Sequence, residues 1–570
     1  MKGKKIVSTL LALLLLASLP VSALAAEWDI SKGDITVNAG SGGQTVTQGG
    51  GAAVVDSAPV ITGSSQDNTL TIHAEKDQTA SVTLSGVNID VSGKDKAAVS
   101  TTGAGNVSIE LNGESKLKSG EKHAGLEKNN GGRLNIADED KNGKLTAEGG
   151  VFGAGIGGGY EGNGNNIAIS GGEIKAIGGV GGAGIGGGES REIYNGNGSD
   201  ITISGGNGSD ITISGGEITA IGGENSAGIG AGHRGNGNNI TISGGEVKAT
   251  GGAGGAGIGG GEPGNSYNGN GSDITISGGE VTAIGGEYGA GIGGGSNGNG
   301  NNIAISSGEV TAIGGEYGAG IGGGGGGNGN NITISGGEVK AIGDLGGAGI
   351  GGGPWGKGKD ITVSGAAKLK VQGGVEDDSN GAGAGIGDGG SRRDASQGSQ
   401  IPGAEVEPDT SGLLTTGWIE YYAPGADMEK DKPTSTTFGT SSQPEKPIEP
   451  AVPEQPEAER GMDAPLYRMT DRDGRDMAYM VEQTGGVQTV TVDEDFAVLT
   501  GSLSDMAALR AQGVEKLVFV TKGATSAFLL SDLLGKGESG ESYWLTHDGK
   551  AVTFTLGESM TDVSAILTKP

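Results

Sequence analysis

Gly318-Ala319-Gly320-Ile321-Gly322, then Asn330-Asn331-Ile332-Thr333-Ile334-Ser335-Gly336-Gly337-Glu338-Val339, then Lys340-Ala341-Ile342-Gly343: residues 318–343 are the cleanest copy of a unit that returns through the middle of the chain. The isoleucine of the Ala-Gly-Ile core recurs at Ile156, Ile185, Ile229, Ile258, Ile292, Ile321, Ile350 and Ile386, at intervals of 29, 44, 29, 34, 29, 29 and 36 residues. The base period is 29, with insertions. The 34-residue interval carries five extra residues around positions 264–267. The 44-residue interval carries a similar insert and a ten-residue tandem copy, 197–206 against 207–216. A fixed period of roughly 20–50 residues marks a solenoid.

Each period holds three short strand candidates. Ile332-Thr333-Ile334 and Val339-Lys340-Ala341 alternate apolar and polar, and Ala319-Gly320-Ile321 is the third. Alternation with period two means β structure, with Ile and Val inward and Thr and Lys outward. Glycine-rich corners separate the three, and glycine tolerates the positive φ that a sharp corner needs. One such coil cannot bury its own isoleucines, but coils stacked ~4.8 Å apart build a continuous core. The predicted fold is therefore all-β, a right-handed parallel β-helix of about ten or eleven coils, the handedness following from the chirality of parallel crossovers. Helical repeats fit poorly, because glycine and β-branched residues disfavour helix.

Composition narrows the function classes. Of 570 residues 126 are Gly, without the three-residue period of collagen. Only 4% are aromatic, which suits a narrow core of Ile, Val and Ala. A formal charge of −30 disfavours nucleic acid and anionic membrane as partners, since both call for a basic footprint. With no Cys there are neither disulfides nor thiolate metal sites, and the four His are scattered.

Residues 1–25 read as a secretory signal peptide: Lys2, Lys4 and Lys5 precede an apolar run, and Ala23-Leu24-Ala25 offers small residues for cleavage after Ala25. The expected location is secreted or cell-surface, with no transmembrane helix in the mature chain. Residues 26–125 read as an N-terminal cap and divergent coils, including Leu70-Thr71-Ile72, Val82-Thr83-Leu84, Val87-Asn88-Ile89 and Val107-Ser108-Ile109. Residues 126–422 hold the regular coils and a closing strand, Trp418-Ile419-Glu420-Tyr421-Tyr422. Residues 423–462 read as a Pro-rich linker, with Pro424, Pro433, Pro444, Pro447, Pro450, Pro453 and Pro456. Residues 463–570 read as a small α+β domain: a hairpin from 477–481 and 487–492, a helix over 503–512, a buried strand at 517–520, a second helix over 526–534 and a last strand at 552–556.

Three sets of side chains are candidates for function. Asn-Gly-Ser-Asp-Ile-Thr-Ile at 207–213 and Asn-Gly-Asn-Gly-Ser-Asp-Ile at 268–274 resemble a calcium-binding nonapeptide, but the period is 29 and the Asp is usually Asn. They fit a corner whose Asn side chains hydrogen-bond from coil to coil. Glu173, Glu217, Glu246, Glu280, Glu309 and Glu338 occupy one equivalent position, ~4.8 Å apart if the coils stack. Lys175, Lys248 and Lys340 share their face, whereas Thr219, Thr282 and Thr311 take that place elsewhere. A splayed, solvated acidic face and a weak calcium-binding file both fit this pattern, and calcium is the one cofactor the sequence suggests. Finally, Tyr160, Tyr194, Tyr267, Tyr288, Tyr317 and Trp355 flank one corner of the coil. Exposed rings there are a candidate polysaccharide platform; covering of corner backbone is the alternative. No constellation of catalytic carboxylates or arginines stands out, so no enzyme activity is expected, and Asp471-Arg472-Asp473-Gly474 fails as an EF-hand because its Gly comes two positions early.

With Gly-Ala-Gly-Ile-Gly-Gly-Gly, Ile-Ser-Gly-Gly-Glu-Val and Ala-Ile-Gly-Gly as its motifs, the region from about 50 to 390 resembles repeat regions of secreted surface proteins of Gram-positive bacteria, mostly clostridial. It is also similar to the carbohydrate-binding β-helix family with a pectate-lyase-like fold. That resemblance implies calcium-dependent, non-catalytic binding of acidic plant polysaccharides, and no individual calcium ligand carries over. The expected function is non-catalytic binding of an extracellular polysaccharide or cell-envelope component. The alternative is a structural spacer or adhesin that projects the C-terminal domain from the envelope.

Overall fold

The computed structural model describes residues 26–193, 202–204, 208–264, 269–391 and 400–441, together with parts of 468–568. The chain divides into two units, residues 1–448 and 449–570.

The first unit is a parallel β-helix with three faces. In the coil containing Ile321, Ile321–Gly322 lies on the first face, Gly329–Ile334 on the second and Glu338–Ile342 on the third. The next coil returns to the first face at Ile350–Gly351, and Ile321 pairs with Ile350 in parallel register. The second face holds twelve strands, so the stack is slightly longer than its regular period suggests. The divergent coils join it without a break: Leu70–Ala74, Thr79–Ser85 and Asn88–Asp90 each take one face.

Alternation sets the inside and the outside. Ile332, Ile334, Val339 and Ala341 are buried while Glu338 is exposed, and the pattern repeats from coil to coil. A single apolar cluster runs from Ile30 to Ile419. At about 25 cal/mol per Å² of apolar surface removed from water, this file of isoleucines is the main source of stability.

Each corner has its own chemistry. At the end of the Ile-Gly strand, glycine takes a φ that other residues rarely adopt: Gly293 has φ +133°, and a Cβ there would lie 2.1 Å from the Gly322 carbonyl oxygen of the next coil. On the second face one residue per coil is left-handed, namely Asn166, Asp210, Asn239, Asp273, Asn302, Asn331 and Asp360, with φ between 51° and 57°. Asn and Asp tolerate that region best after glycine. The corner before this face carries an asparagine ladder, as the sequence suggested. Asn299 Oδ1 accepts from the backbone N–H of Asn328 at 2.8 Å and from its Nδ2 at 3.0 Å, and Asn270 Oδ1 does the same for Asn299. The calcium-nonapeptide likeness is thus absorbed by corner geometry.

Both ends of the stack are covered. At the N-terminal end Gly43–Gln48 pairs antiparallel with Ile35–Gly40, and Val54–Val55 follows. At the other end Trp418–Tyr422 adds to the third face in parallel, as expected of a closing strand. Ser435–Phe438 then pairs antiparallel with it. The segment from 423 to 441 is therefore part of the cap and not a free linker: Ser435–Phe438 completes the edge of the last strand, while residues 442–462 lie outside the described residues. The tandem decapeptide splits its two copies. Gly208–Ile213 fills the second-face position of its coil, and Thr202–Ser204 of the first copy pairs antiparallel with Arg191–Ile193 outside the stack.

The second unit contains two five-stranded sheets. Met480–Thr484 and Val487–Thr491 form the expected hairpin. The described residues Leu503, Met506, Leu509 and Arg510 are helical. The helix expected over 526–534 begins instead as a strand, Thr525–Leu529, because its Ala527 and Phe528 pair antiparallel with Val518 and Leu517 and enter the core; Leu530 is helical, and residues 531–534 lie outside the described residues. Among the described residues no helix is long and apolar enough to cross a membrane.

Candidate functional site

Two positions of the repeat meet at one edge of the first face. The first lies four residues before the coil isoleucine and is occupied by Phe152, Tyr288 and Tyr317, among others. The second lies five residues after it, at the tip of a turn. There Glu161, Arg234, Asn297, Gly326 and Trp355 all have positive φ, from 54° to 83°. A bulky residue rarely adopts this conformation. Held at φ +66°, Trp355 points its indole outward and is 56% exposed.

Tyr288 and Tyr317, one period apart, stack in adjacent coils with ring centroids 5.2 Å apart and planes inclined by 15°. That separation follows from the ~4.8 Å rise between coils. Their rings share a hollow of about 360 Å³ with Trp355, Asn297, Glu262 and Asn380. Small residues open it: a Cβ on Gly325 would meet the Tyr317 carbonyl oxygen, the Tyr288 ring and Tyr317 Cβ, at 3.3, 3.4 and 3.5 Å. The insertion in the last 36-residue interval folds back to supply the far wall. Its Asp377 accepts the backbone N–H groups of Ser379 and Asn380, each at 2.6 Å, and so sets Asn380 against the edge. Asn380 is 2% exposed, and its Oδ1 has no hydrogen-bond partner.

Carboxylates surround the rings. The Glu287 carboxylate, hydrogen-bonded to Tyr288, raises that phenol above its ordinary value, with Glu316 adding to the effect. Loss of hydration raises Tyr317 in the same direction, followed by the charges of Glu316 and Asp377.

Of the six aromatic candidates, then, Tyr288, Tyr317 and Trp355 converge. Tyr160 stands apart, four coils towards the N-terminus, where its ring packs on Phe152 at 5.3 Å. Tyr194 and Tyr267 lie outside the described residues. Neither Asn297 nor Asn380 stands out by residue type in the sequence. Asn297 carried a signal, being five residues beyond Ile292 at the turn tip that also presents Trp355. Asn380 carried none, since it sits in a non-repeated insertion.

The glutamates form an unbroken file. Glu173, Glu217, Glu246, Glu280, Glu309 and Glu338 are paired in register from coil to coil. Lysines close it at both ends: Lys144 bridges Glu173, and Lys368 bridges Glu338 at 2.7 Å. All six glutamates are exposed, and among the described residues no three His, Asp or Glu side chains gather closely enough to hold a metal ion. The arrangement is a solvated acidic stripe with cationic ends, and the structure brings none of the six together as calcium ligands.

Buried titratable groups elsewhere are engaged in structure. His123 Nδ1 lies 2.7 Å from the buried Glu127, whose other oxygen accepts from Asn129. His547, fully buried, sits between Thr521 Oγ1 at 3.0 Å and Ser526 Oγ at 2.7 Å, and burial pushes its pKa down to about 4.

Seven stretches of the chain match a family model described as Beta helix repeat: residues 141–160, 167–189, 211–233, 240–262, 274–296, 303–325 and 332–354. They take in Tyr288 and Tyr317 and stop one residue short of Trp355, so the likeness covers the coil and only part of the hollow, leaving out Asn297, Trp355 and Asn380. No curated protein and no solved structure matches the chain.

Proposed function

We propose that this parallel β-helix is a secreted, non-catalytic carbohydrate-binding protein, and that polysaccharide docks along the edge formed by Tyr288, Tyr317 and Trp355. The observation that carries the reading is the convergence of three partly exposed rings, drawn from residues up to 67 positions apart, on one hollow of a rigid stack. Aromatic faces stack on the apolar faces of sugar rings while their polar tips stay wet. Asn297, Ser379 and Asn380 supply hydrogen-bonding groups around them. A scaffold of consecutive coils presents such groups at fixed spacing, so little ordering is needed on binding. Ring faces and amide groups, unlike a paired acid and base, favour binding over bond cleavage.

The test is the full chain carrying Tyr288→Ala and Tyr317→Ala together, run through gels containing soluble polysaccharides and pulled down on insoluble ones. If each ring contributes about 0.5–1.5 kcal/mol, the double variant binds roughly 5- to 150-fold more weakly. Far-ultraviolet circular dichroism should stay that of the parent. Equal retention of parent and variant on every polysaccharide that binds would remove this edge, and an absence of binding by the parent would favour the spacer reading.

A further inference from the structure

The charge around the hollow decides which saccharides it can accept, and here the structure parts from the acidic polysaccharides that the family resemblance implies. Glu287 and Glu316 immediately precede the stacked tyrosines, in adjacent coils. Glu262 lines the hollow, and the charge of Asp377 reaches Tyr317. No lysine, arginine or histidine lines the hollow among the described residues. The basic residues that flank it in the repeat are already paired: Arg234 with Glu189 at 3.0 Å, and Lys357 with Asp388 at 2.7 Å. Arg392 and Arg393 lie outside the described residues. The buried Oδ1 of Asn380 adds an acceptor with no donor. The hollow thus offers π faces and the carboxylate of Glu262, with Glu287, Glu316 and Asp377 beside the tyrosines at its rim and an unpaired acceptor on its lining residue Asn380, and what these three features share is a preference for a donor carrying positive charge.

A uronic acid chain would bring its carboxylates against Glu287 and Glu316. A neutral sugar would stack but leave that negative pair unanswered. An ammonium group satisfies all three features at once: it is attracted to the ring faces, neutralises the carboxylates and donates up to three hydrogen bonds. We propose, on the reading that this edge binds carbohydrate, that its ligand is an amino-sugar polymer with free, protonated amines, and that Glu287 and Glu316 are its specificity-determining residues.

The experiment titrates the full chain, followed by calorimetry and by that part of the tryptophan fluorescence change which is lost in Trp355→Phe, with three hexasaccharides at mildly acid pH: oligoglucosamine, its fully N-acetylated form and oligogalacturonate. The expected result is that oligoglucosamine binds at least tenfold more tightly than the N-acetylated form and that oligogalacturonate does not bind. Glu287→Gln with Glu316→Gln should abolish that advantage and leave binding of the N-acetylated form in place. Oligoglucosamine binding should also fall at least tenfold in the Tyr288→Ala, Tyr317→Ala variant, which separates the site from general attraction of a polycation to an acidic protein. Equal affinity for the two glucosamine forms, tighter binding of oligogalacturonate, or an advantage that survives the Glu→Gln changes would overturn the charge assignment and leave carbohydrate binding standing. Oligoglucosamine binding that is indifferent to the tyrosines would overturn the assignment of the site, and failure of all three to bind would overturn both.

Discussion

The glycine that ends each Ile-Gly strand has no room for a side chain, and Gly293→Ala measures that. Gly293 has φ +133°, and an added Cβ would sit 2.1 Å from Gly322 O and 3.0 Å from Gly322 C, both backbone atoms of the next coil. Neither can swing away as a side chain could. A non-glycine residue in such a region costs on the order of 1–3 kcal/mol. Forcing extra volume into a packed site costs about 1–3 kcal/mol more. Two other glycines separate these contributions. Gly86, with φ +64°, meets nothing within 4 Å, so Gly86→Ala should cost only about 1–2 kcal/mol of left-handed strain. Gly42 lacks a positive φ and also faces open space, so Gly42→Ala should be neutral or stabilise by about 0.4–1 kcal/mol. Because coils open locally, hydrogen exchange is the suitable assay, read on peptides spanning residues 286–328 of the full chain. A cost of about 2–6 kcal/mol should speed exchange there at least roughly 30-fold, while peptides before residue 200 keep parent protection. Parent-like protection in Gly293→Ala, or a larger effect from Gly86→Ala, would refute the close approach of successive coils on which the fold rests.

Three further outcomes follow from named features. Deleting residues 197–206 leaves an insert of the same length as the one in the following 34-residue interval, so the coil should keep its strand Gly208–Ile213 and the melting temperature should move by no more than a few degrees; loss of cooperative melting would count against the strand assignment. Glu280→Gln removes one charge from the middle of the in-register file and should stabilise by a few tenths of a kcal/mol at low salt, an advantage that fades as salt screens the neighbours, which paired denaturation curves will detect or exclude. His547 has a folded-state pKa of about 4 against an ordinary 6.5, so the unfolded chain takes up the proton first as pH falls. The C-terminal unit should therefore lose stability progressively from about pH 6.5 down to pH 4, by something on the order of 3 kcal/mol, and flatten below that. Denaturation of the chain at a series of pH values, with and without His547→Gln, checks both the direction and the window.

The division between what the sequence determined and what needed the fold is a physical one. A period of 29 with alternating apolar residues leaves one economical way to bury Ile321, Ile332, Ile334 and Val339, which is to stack coils. Every contact that joins equivalent positions follows from that alone: the Asn270–Asn299–Asn328 ladder, the glutamate file and the Tyr288–Tyr317 stack. Contacts between non-equivalent positions do not follow from periodicity. Trp355 reaches the tyrosine pair only because its turn tip holds φ +66°, and Asn380 only because an unrepeated insertion folds back over the edge. Identical decapeptides at 197–206 and 207–216 cannot declare which one enters the coil; the copy joined directly to Glu217 does, since that glutamate must start the third face. In the second unit, where no repeat assists, local pattern misjudged Ser526: its short apolar run fits helix and strand alike, and pairing with Lys516–Val520 decided for the strand. Periodicity along this chain thus fixes the rows of the stack, while the meeting of different rows at the aromatic edge depends on turns and insertions whose course only the folded chain shows.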